Sequence, residues 1–137
     1  MALRARPLAI HLFTALFAAS ALVAFGDAMA DLDGHLAWYA ARFPAIAWNR
    51  DAVIVFASAR LTIAAIPLVL VWVRASRFAR WMATAFALLK LLGLPEALGS
   101  ADGPWLASLA LGVIGAAMLF TPASARWFAR WGKGHGA

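Results

Sequence analysis

The chain has 137 residues, of which 65% are hydrophobic and 13% are charged, and its formal net charge is +6. This composition is too apolar for an ordinary soluble domain, and the cations flank apolar stretches instead of forming the soluble basic face that binds nucleic acid. Cysteine is absent, which excludes disulfides, thiolate metal sites and cysteine nucleophiles.

Four apolar stretches alternate with charged segments along the chain. A helix that crosses the hydrocarbon core needs about 20 apolar residues, because each residue advances about 1.5 Å across about 30 Å of lipid. The stretches lie at residues 8–27, 52–73, 78–98 and 104–121. They lack the alternation of a β-barrel. We therefore predict an all-α membrane protein, with a single domain over 1–137 and four transmembrane helices in a compact bundle.

The first stretch also resembles a secretory signal. Arg4 and Arg6 precede it, and Ala28, Met29 and Ala30 follow it with the A-x-A pattern of a cleavage site. The apolar run is longer than the roughly 7 to 15 residues usual in such signals, which favours a retained helix. Cleavage would leave a chain that begins at Asp31, and an intact-mass measurement distinguishes the two alternatives.

The segment between the first and second stretches is too polar to span a membrane but is rich in aromatic residues. Trp and Tyr favour the headgroup region, where the ring is buried and its polar atom stays wet. Pro44 is expected to end any helix that begins after Asp33. We predict an interfacial outer loop that anchors the chain; the alternative is a lid over an outward-facing cavity.

The second stretch contains Pro67, which removes one backbone hydrogen bond from a helix. A kink is expected nearby, either as a purely structural feature or as a hinge in a transport cycle. The third and fourth stretches carry small residues at a spacing of four, which let membrane helices approach closely. The predicted helix-packing positions are Ala83, Ala87, Ser108, Gly112 and Ala116.

Arg60 and Lys90 are the only fixed charges well inside the predicted spans. An intramembrane charge is costly, so it is a functional hypothesis by default. With Asp27 and Glu96 at the outer rim, the two cations form a candidate intramembrane polar site. The first interpretation is a structural ion-pair network; the alternatives are an anion-attracting cavity open to the outside and a site for lipid headgroups.

The tail after the fourth stretch begins with Thr121 and Pro122, a helix cap followed by proline at the first helical position. Trp127 and Trp131 are four residues apart, as are Arg126 and Arg130. The sequence therefore predicts a short amphipathic helix over 122–131 that lies in the cytoplasmic interface.

Orientation follows from the distribution of charge. The amino-terminal segment, the segment between the second and third stretches, and the tail carry only basic charges, whereas every acidic residue falls in the other two segments. By the positive-inside rule, both termini are cytoplasmic. We predict a multi-pass protein of a bacterial inner membrane, with anionic lipids as partners of its basic segments.

The sequence contains few residues that are suited to catalysis or to metal binding. His11 is the only histidine within a predicted span, and no carboxylate pair, metal-binding motif or phosphate-binding glycine loop is present. We therefore predict no enzyme activity, no cofactor and no metal. The predicted role is non-catalytic, through helix packing as a homo-oligomer or as an accessory subunit of a membrane complex. The alternative is a small carrier or channel for an anionic solute that uses Arg60 and Lys90.

Overall fold

A computed structural model of the chain describes residues 6–95, 99 and 103–131. Over these residues the protein has six helices and no strand, which confirms the all-helical prediction. The helices are α1 (Leu8–Ala30), α2 (Leu32–Arg42), α3 (Arg50–Arg74), α4 (Arg77–Leu91), α5 (Gly103–Met118) and α6 (Pro122–Trp131).

Two of these helices are long and apolar enough to cross a membrane. They are α1, with 23 residues, and α3, with 25. The pair α5 and α6, which is bent by 60° at the break between them, is a third candidate if the pair forms one broken span. By length and composition the described part of the chain thus has two or three candidate spans, where the sequence predicts four.

Helix α4 ends before the predicted third span does. It has 15 residues, so it is about 22 Å long, short of the roughly 30 Å of a hydrocarbon core. Beyond it the backbone turns, and the N–H of Gly93 donates to the carbonyl of Lys90 at 3.1 Å. A side chain at Gly93 would begin 2.9 Å from the ring of Trp105. Glycine at this turn therefore lets α5 pack close to the end of α4.

A two-residue connection reverses the chain between α3 and α4. Ala75 adopts a left-handed conformation with φ 47°, and its N–H donates to the carbonyls of Leu70 and Val71. This is the usual way to satisfy the last carbonyls of a helix, although glycine is commoner at such a position. Because the connection is short, α3 and α4 are antiparallel neighbours.

Each of the four longer helices packs against two of the others: α1 and α4 both contact α3 and α5. The contact between α1 and α5 is the most extensive. It depends on glycine, because a Cβ at Gly115 would lie 3.1 Å from the backbone N of Phe17 and 3.2 Å from the Cβ of Leu16. The backbones of α1 and α5 thus approach as closely as the small residues of α5 allow.

The apolar core lies where α1 begins, α3 ends, α4 begins and α5 ends. We call this the basic end, because Arg74, Arg77 and Arg80 are there, and we call the opposite end the acidic end. The core residues share near-complete burial and come from four helices and from the α3–α4 and α5–α6 connections: Ile10, Phe13, Phe17, Val71, Ala75, Ala79, Ala83, Leu119 and Phe128. Ala87 continues the buried face of α4 toward the acidic end.

Helix α6 coincides with the predicted range 122–131 but uses a different face for packing. Ser124 and Phe128, which are four residues apart, are its buried residues, whereas Trp131 is 40% exposed. The hydroxyl of Thr121 accepts from the N–H of Ser124 at 3.3 Å, as expected of a helix cap. Phe128 therefore ties α6 to the apolar core.

Pro67 is buried within α3, and the helix is continuous through it. Proline cannot donate to the carbonyl four residues earlier, so one backbone hydrogen bond of α3 is missing. Whether this position acts as a hinge stays a prediction.

Candidate functional site

Lys90 is held between α1 and α5 at the acidic end. Its Nζ donates to the hydroxyl of Ser20 and to the hydroxyl of Ser108, both at 2.9 Å. Ser20 and Ser108 are both buried. Lys90 reaches them because it follows Ala83 and Ala87 on the face of α4 that packs inward. One ammonium therefore joins three helices.

The two serines, which we call the serine pair, also bond to each other. The Ser20 hydroxyl donates to the backbone carbonyl of Ser108 at 2.6 Å, and the Ser108 hydroxyl donates to the backbone carbonyl of Ser20 at 2.8 Å. Each hydroxyl thus gives its proton to a carbonyl and offers its lone pairs to Lys90. Because both hydroxyl protons are donated to carbonyls, each hydroxyl can only accept a hydrogen bond from the Lys90 ammonium.

Gly112 provides the space that the serine pair needs. A Cβ at Gly112 would lie 3.0 Å from the Ser20 hydroxyl oxygen. Gly112, Ser108 and Ala116 are all buried, and Ser108 and Gly112 lie beside Ser20 of α1. The predicted small-residue positions of α5 therefore surround a polar contact as well as a close helix crossing.

Helix α2 packs on α3 and α1 at the acidic end, next to the serine pair and Lys90. Tyr39 is only 7% exposed; its ring stacks on Trp48 at 4.7 Å and meets Phe56 edge-on at 5.2 Å. The guanidinium of Arg60 donates to the Tyr39 hydroxyl at 3.3 Å. An aromatic cluster thus fixes α2 against α3 and directs its one buried hydroxyl toward Arg60.

Polar contacts hold the start of α2. The Asp31 side chain accepts from the N–H of Gly34 at 3.1 Å and caps the helix. At the next turn, His35 Nε2 lies 3.5 Å from a carboxylate oxygen of Asp27. Asp33 accepts two hydrogen bonds from Arg50, at 2.9 and 2.7 Å. The Arg50 guanidinium, by these bonds and by its charge, holds the pKa of Asp33 below its ordinary value.

A small cavity of about 30 Å³ lies beneath α2. Its lining residues come from α1, α2, α3, α4 and α5: Ala24, Asp27, His35, Arg60, Lys90, Trp105 and Ser108. Such a volume holds about one or two waters, or an anion of similar size, and it excludes a larger organic solute in this conformation.

The cavity has a positive lining. Arg60 and Lys90 contribute two positive charges and Asp27 one negative charge, which leaves +1 with His35 neutral and +2 with His35 protonated. The hydroxyls that hold Lys90 carry no charge, so they orient the ammonium without neutralising it. A monovalent anion is the species whose charge and size suit this space.

The structure brings together three of the four residues of the predicted polar site: Arg60, Lys90 and Asp27 line one cavity. Glu96 lies outside the described residues. Sequence reasoning missed Ser20 and Trp105, and it did not assign His35 or Tyr39 to the site. Ser20 stands alone in an apolar run, so its only signal was a hydroxyl at a buried helical position.

Within the described residues no group of three His, Cys, Asp or Glu side chains is placed to hold a metal ion. Lys90 bonds to the serine pair among the described residues, and the predicted ion-pair network stays a prediction, because Glu96 and Asp102 lie outside those residues. Comparison of the chain with protein-family models, with curated proteins and with solved structures gave no match.

Proposed function

We propose that the protein is a small multi-pass protein of a bacterial inner membrane, in which α1, α3, α4 and α5 form a compact four-helix transmembrane bundle. What supports four spans is the packing, since α4 and α5 each contact two neighbours as α1 and α3 do. With α4 and α5 short, flanking residues would be drawn into the bilayer or the bilayer would thin locally. The arginines at the basic end favour a cytoplasmic location for both termini.

We further propose that the protein is a non-catalytic binding protein for a small monovalent anion, of the carrier or channel class. One observation carries this proposal: Arg60 and Lys90, which are 30 positions apart in sequence, line the same cavity. Two like charges in one small space repel each other, and the single negative charge of Asp27 offsets only one of them within this lining, so part of the electrostatic cost remains. A bound anion would relieve that cost.

The position of α2 supports a lid over the cavity. His35 of α2 lines the cavity, and Tyr39 accepts a hydrogen bond from Arg60. Entry from the acidic end would then require α2 to move away from α3. This motion would separate Tyr39 from Arg60 and free a guanidinium donor for an arriving anion.

The test is the thermal stability of the purified protein in detergent, with sodium chloride compared with sodium gluconate at equal ionic strength. A ligand at a hundredfold excess over its Kd adds about 2.7 kcal/mol to folding stability. We expect chloride to raise Tm in the wild-type protein and to have no such effect on Lys90→Met. The matched control is Arg74→Met, which removes an exposed cation at the basic end and should keep the response.

Two outcomes would contradict the anion proposal. In one, chloride and gluconate give the same Tm for the wild-type protein. In the other, Lys90→Met responds to chloride as the wild-type protein does. Either result would mean that Lys90 has only a structural role, which is to join α1, α4 and α5.

A role through helix contacts, as a homo-oligomer or an accessory subunit, is the second candidate. One observation favours it: α1 presents small residues on its outward face, where Ala15 and Gly26 are exposed and a Cβ at Gly26 would meet nothing within 4 Å. Small residues on a free face suit close approach of another membrane helix. Native mass analysis after gentle extraction tests it, since a monomer without co-purifying protein would contradict this role.

A further inference from the structure

A second enclosed cation lies at the basic end, far from the cavity. Arg80 is near the start of α4, and its guanidinium lies 4.5 Å from the centre of the Phe120 ring and 5.3 Å from that of Phe128. Phe128 is 1% exposed, whereas Phe120 is 42% exposed. One ring therefore belongs to the core and the other to the surface, and Arg80 lies at the boundary between them.

The hydrogen-bonding capacity of Arg80 is not used up within the described part of the chain. Its Nε is buried and has no hydrogen-bond partner there. Aromatic faces attract a guanidinium electrostatically, but they do not accept the in-plane N–H bonds, of which arginine has five. The two rings thus lie against the guanidinium, while its Nε–H lacks an oxygen acceptor among the described residues.

The described acidic side chains all lie at the other end of the protein. They are Asp27, Asp31, Asp33 and Asp51, which lie where α1 ends and where α2 and α3 begin. The neighbouring charges at the basic end are positive: Arg77 on α4, Arg74 at the end of α3, and Arg126 and Arg130 on α6. A counter-ion for Arg80 must therefore come from outside these side chains.

We propose that Arg80, assisted by Arg77, binds a phosphate group at the basic end. A planar guanidinium can offer two parallel N–H donors to a phosphate, and contact with two aromatic rings restricts the positions that this guanidinium can take. The rim around it is apolar, since Phe78 is 67% and Trp81 66% exposed. A phospholipid would place its phosphate at the arginine and its acyl chains along this rim. Free phosphate would bind at the arginine only.

The test is a titration of the purified full chain in detergent with phosphatidylglycerol, with phosphatidylcholine and with inorganic phosphate, followed by Tm and by native mass analysis. The variant is Arg80→Lys, which keeps the charge but loses the two-donor plane and most of the ring stacking. The control is Arg126→Lys, a change at an exposed arginine of α6. A second variant, Arg77→Lys, keeps Arg80 and both rings intact.

We expect phosphatidylglycerol to bind the wild-type protein and the control equally, and to bind Arg80→Lys about tenfold more weakly, as the loss of a charge-assisted hydrogen bond implies. Binding of inorganic phosphate with the same loss in Arg80→Lys supports the site and assigns it to phosphate as such. Binding of phosphatidylglycerol alone supports the lipid source.

The proposal is overturned if Arg80→Lys binds phosphatidylglycerol as tightly as the wild-type protein does. It is also overturned if phosphatidylcholine and phosphatidylglycerol raise Tm equally in all variants, because the apolar rim alone would then explain lipid binding. If Arg80→Lys fails to fold, the Arg77→Lys variant tests the proposal instead. We expect Arg77→Lys to bind phosphatidylglycerol more weakly and to keep the wild-type Tm in the absence of lipid. Unchanged binding in Arg77→Lys would contradict the proposal in that case.

Discussion

Lys90 and Arg80 lie on the same helix, yet the protein encloses them in opposite ways. Lys90, at the acidic end, donates to two hydroxyl oxygens of the serine pair. Arg80, at the basic end, lies against two aromatic rings. A compact ammonium needs directed acceptors, whereas a flat guanidinium can be held by its faces. Lys90 is thus held by hydrogen bonds and Arg80 by contact with aromatic rings.

The largest expected effect is at the basic end. Phe128→Ala removes a side chain that is 1% exposed and belongs to the apolar core. We expect a loss of about 3–5 kcal/mol in the free energy of unfolding, as for other buried Phe→Ala changes. Trp131→Ala, on the same helix but 40% exposed, should cost far less. Denaturant unfolding in detergent measures both, and equal losses would mean that α6 is not tied to the core through Phe128.

The next effect lies between the two ends, where α1 and α5 are closest. Gly115→Ala places a Cβ 3.1 Å from the backbone N of Phe17, and backbone cannot move aside cheaply. We expect a loss of about 1–3 kcal/mol. Gly26→Ala is the matched control, since its Cβ meets nothing within 4 Å and alanine is favoured in a helix by about 0.5–1 kcal/mol. If both variants gain stability, the helices are not in close contact at Gly115.

At the acidic end, we expect the contributions of Lys90 and Ser108 to the free energy of unfolding to depend on each other. Ser108→Ala removes one acceptor of Lys90, and Lys90→Met removes the donor. In a double-mutant cycle we expect a coupling of about 1–3 kcal/mol, the range for a hydrogen bond to a charged group. Unfolding of the two single variants and the double variant measures it. Additivity within about 0.5 kcal/mol would show that the serine pair does not hold the ammonium.

The smallest effect concerns a pair that is exposed to solvent. Arg50 lowers the pKa of Asp33 in the folded protein, so this pair stabilises the fold at a pH above the ordinary carboxyl pKa of about 4. The contribution is lost as the pH falls through the lowered value. Both side chains are about two-thirds exposed, so the change should be slight. Asp33→Asn should remove it from an acid titration of Tm, and an unchanged acid slope would contradict this assignment.

Local signals predicted some elements well. The long apolar runs mark α1 and α3, because a helix in lipid needs length and hydrophobicity more than any specific partner. Thr121 and Pro122 mark the start of α6, since helix caps act within a few residues. The spacing of Lys90 from Ala83 and Ala87 indicates its inward face, which follows from helical periodicity alone.

Other features depend on contacts between distant segments and left no local signal. Ser20 and Ser108 are 88 positions apart, and only the packing of α1 on α5 makes them a pair. The burial of Phe128 in place of Trp131 is decided by the core that α6 meets. Likewise the predicted outer loop contains the helix α2, which ends before Pro44 and is stabilised by the Asp31 cap and by the burial of Tyr39 against α3.

The most direct test of the account is a crystal structure of the protein grown in sodium bromide, with anomalous scattering used to locate the anion. We expect a bromide peak in the cavity beneath α2, within hydrogen-bonding distance of Lys90 Nζ or the Arg60 guanidinium, and no such peak in Lys90→Met. A cavity that contains only water in the wild-type protein, at a bromide concentration that occupies other surface cations, would contradict the claim that the two cations form an anion site.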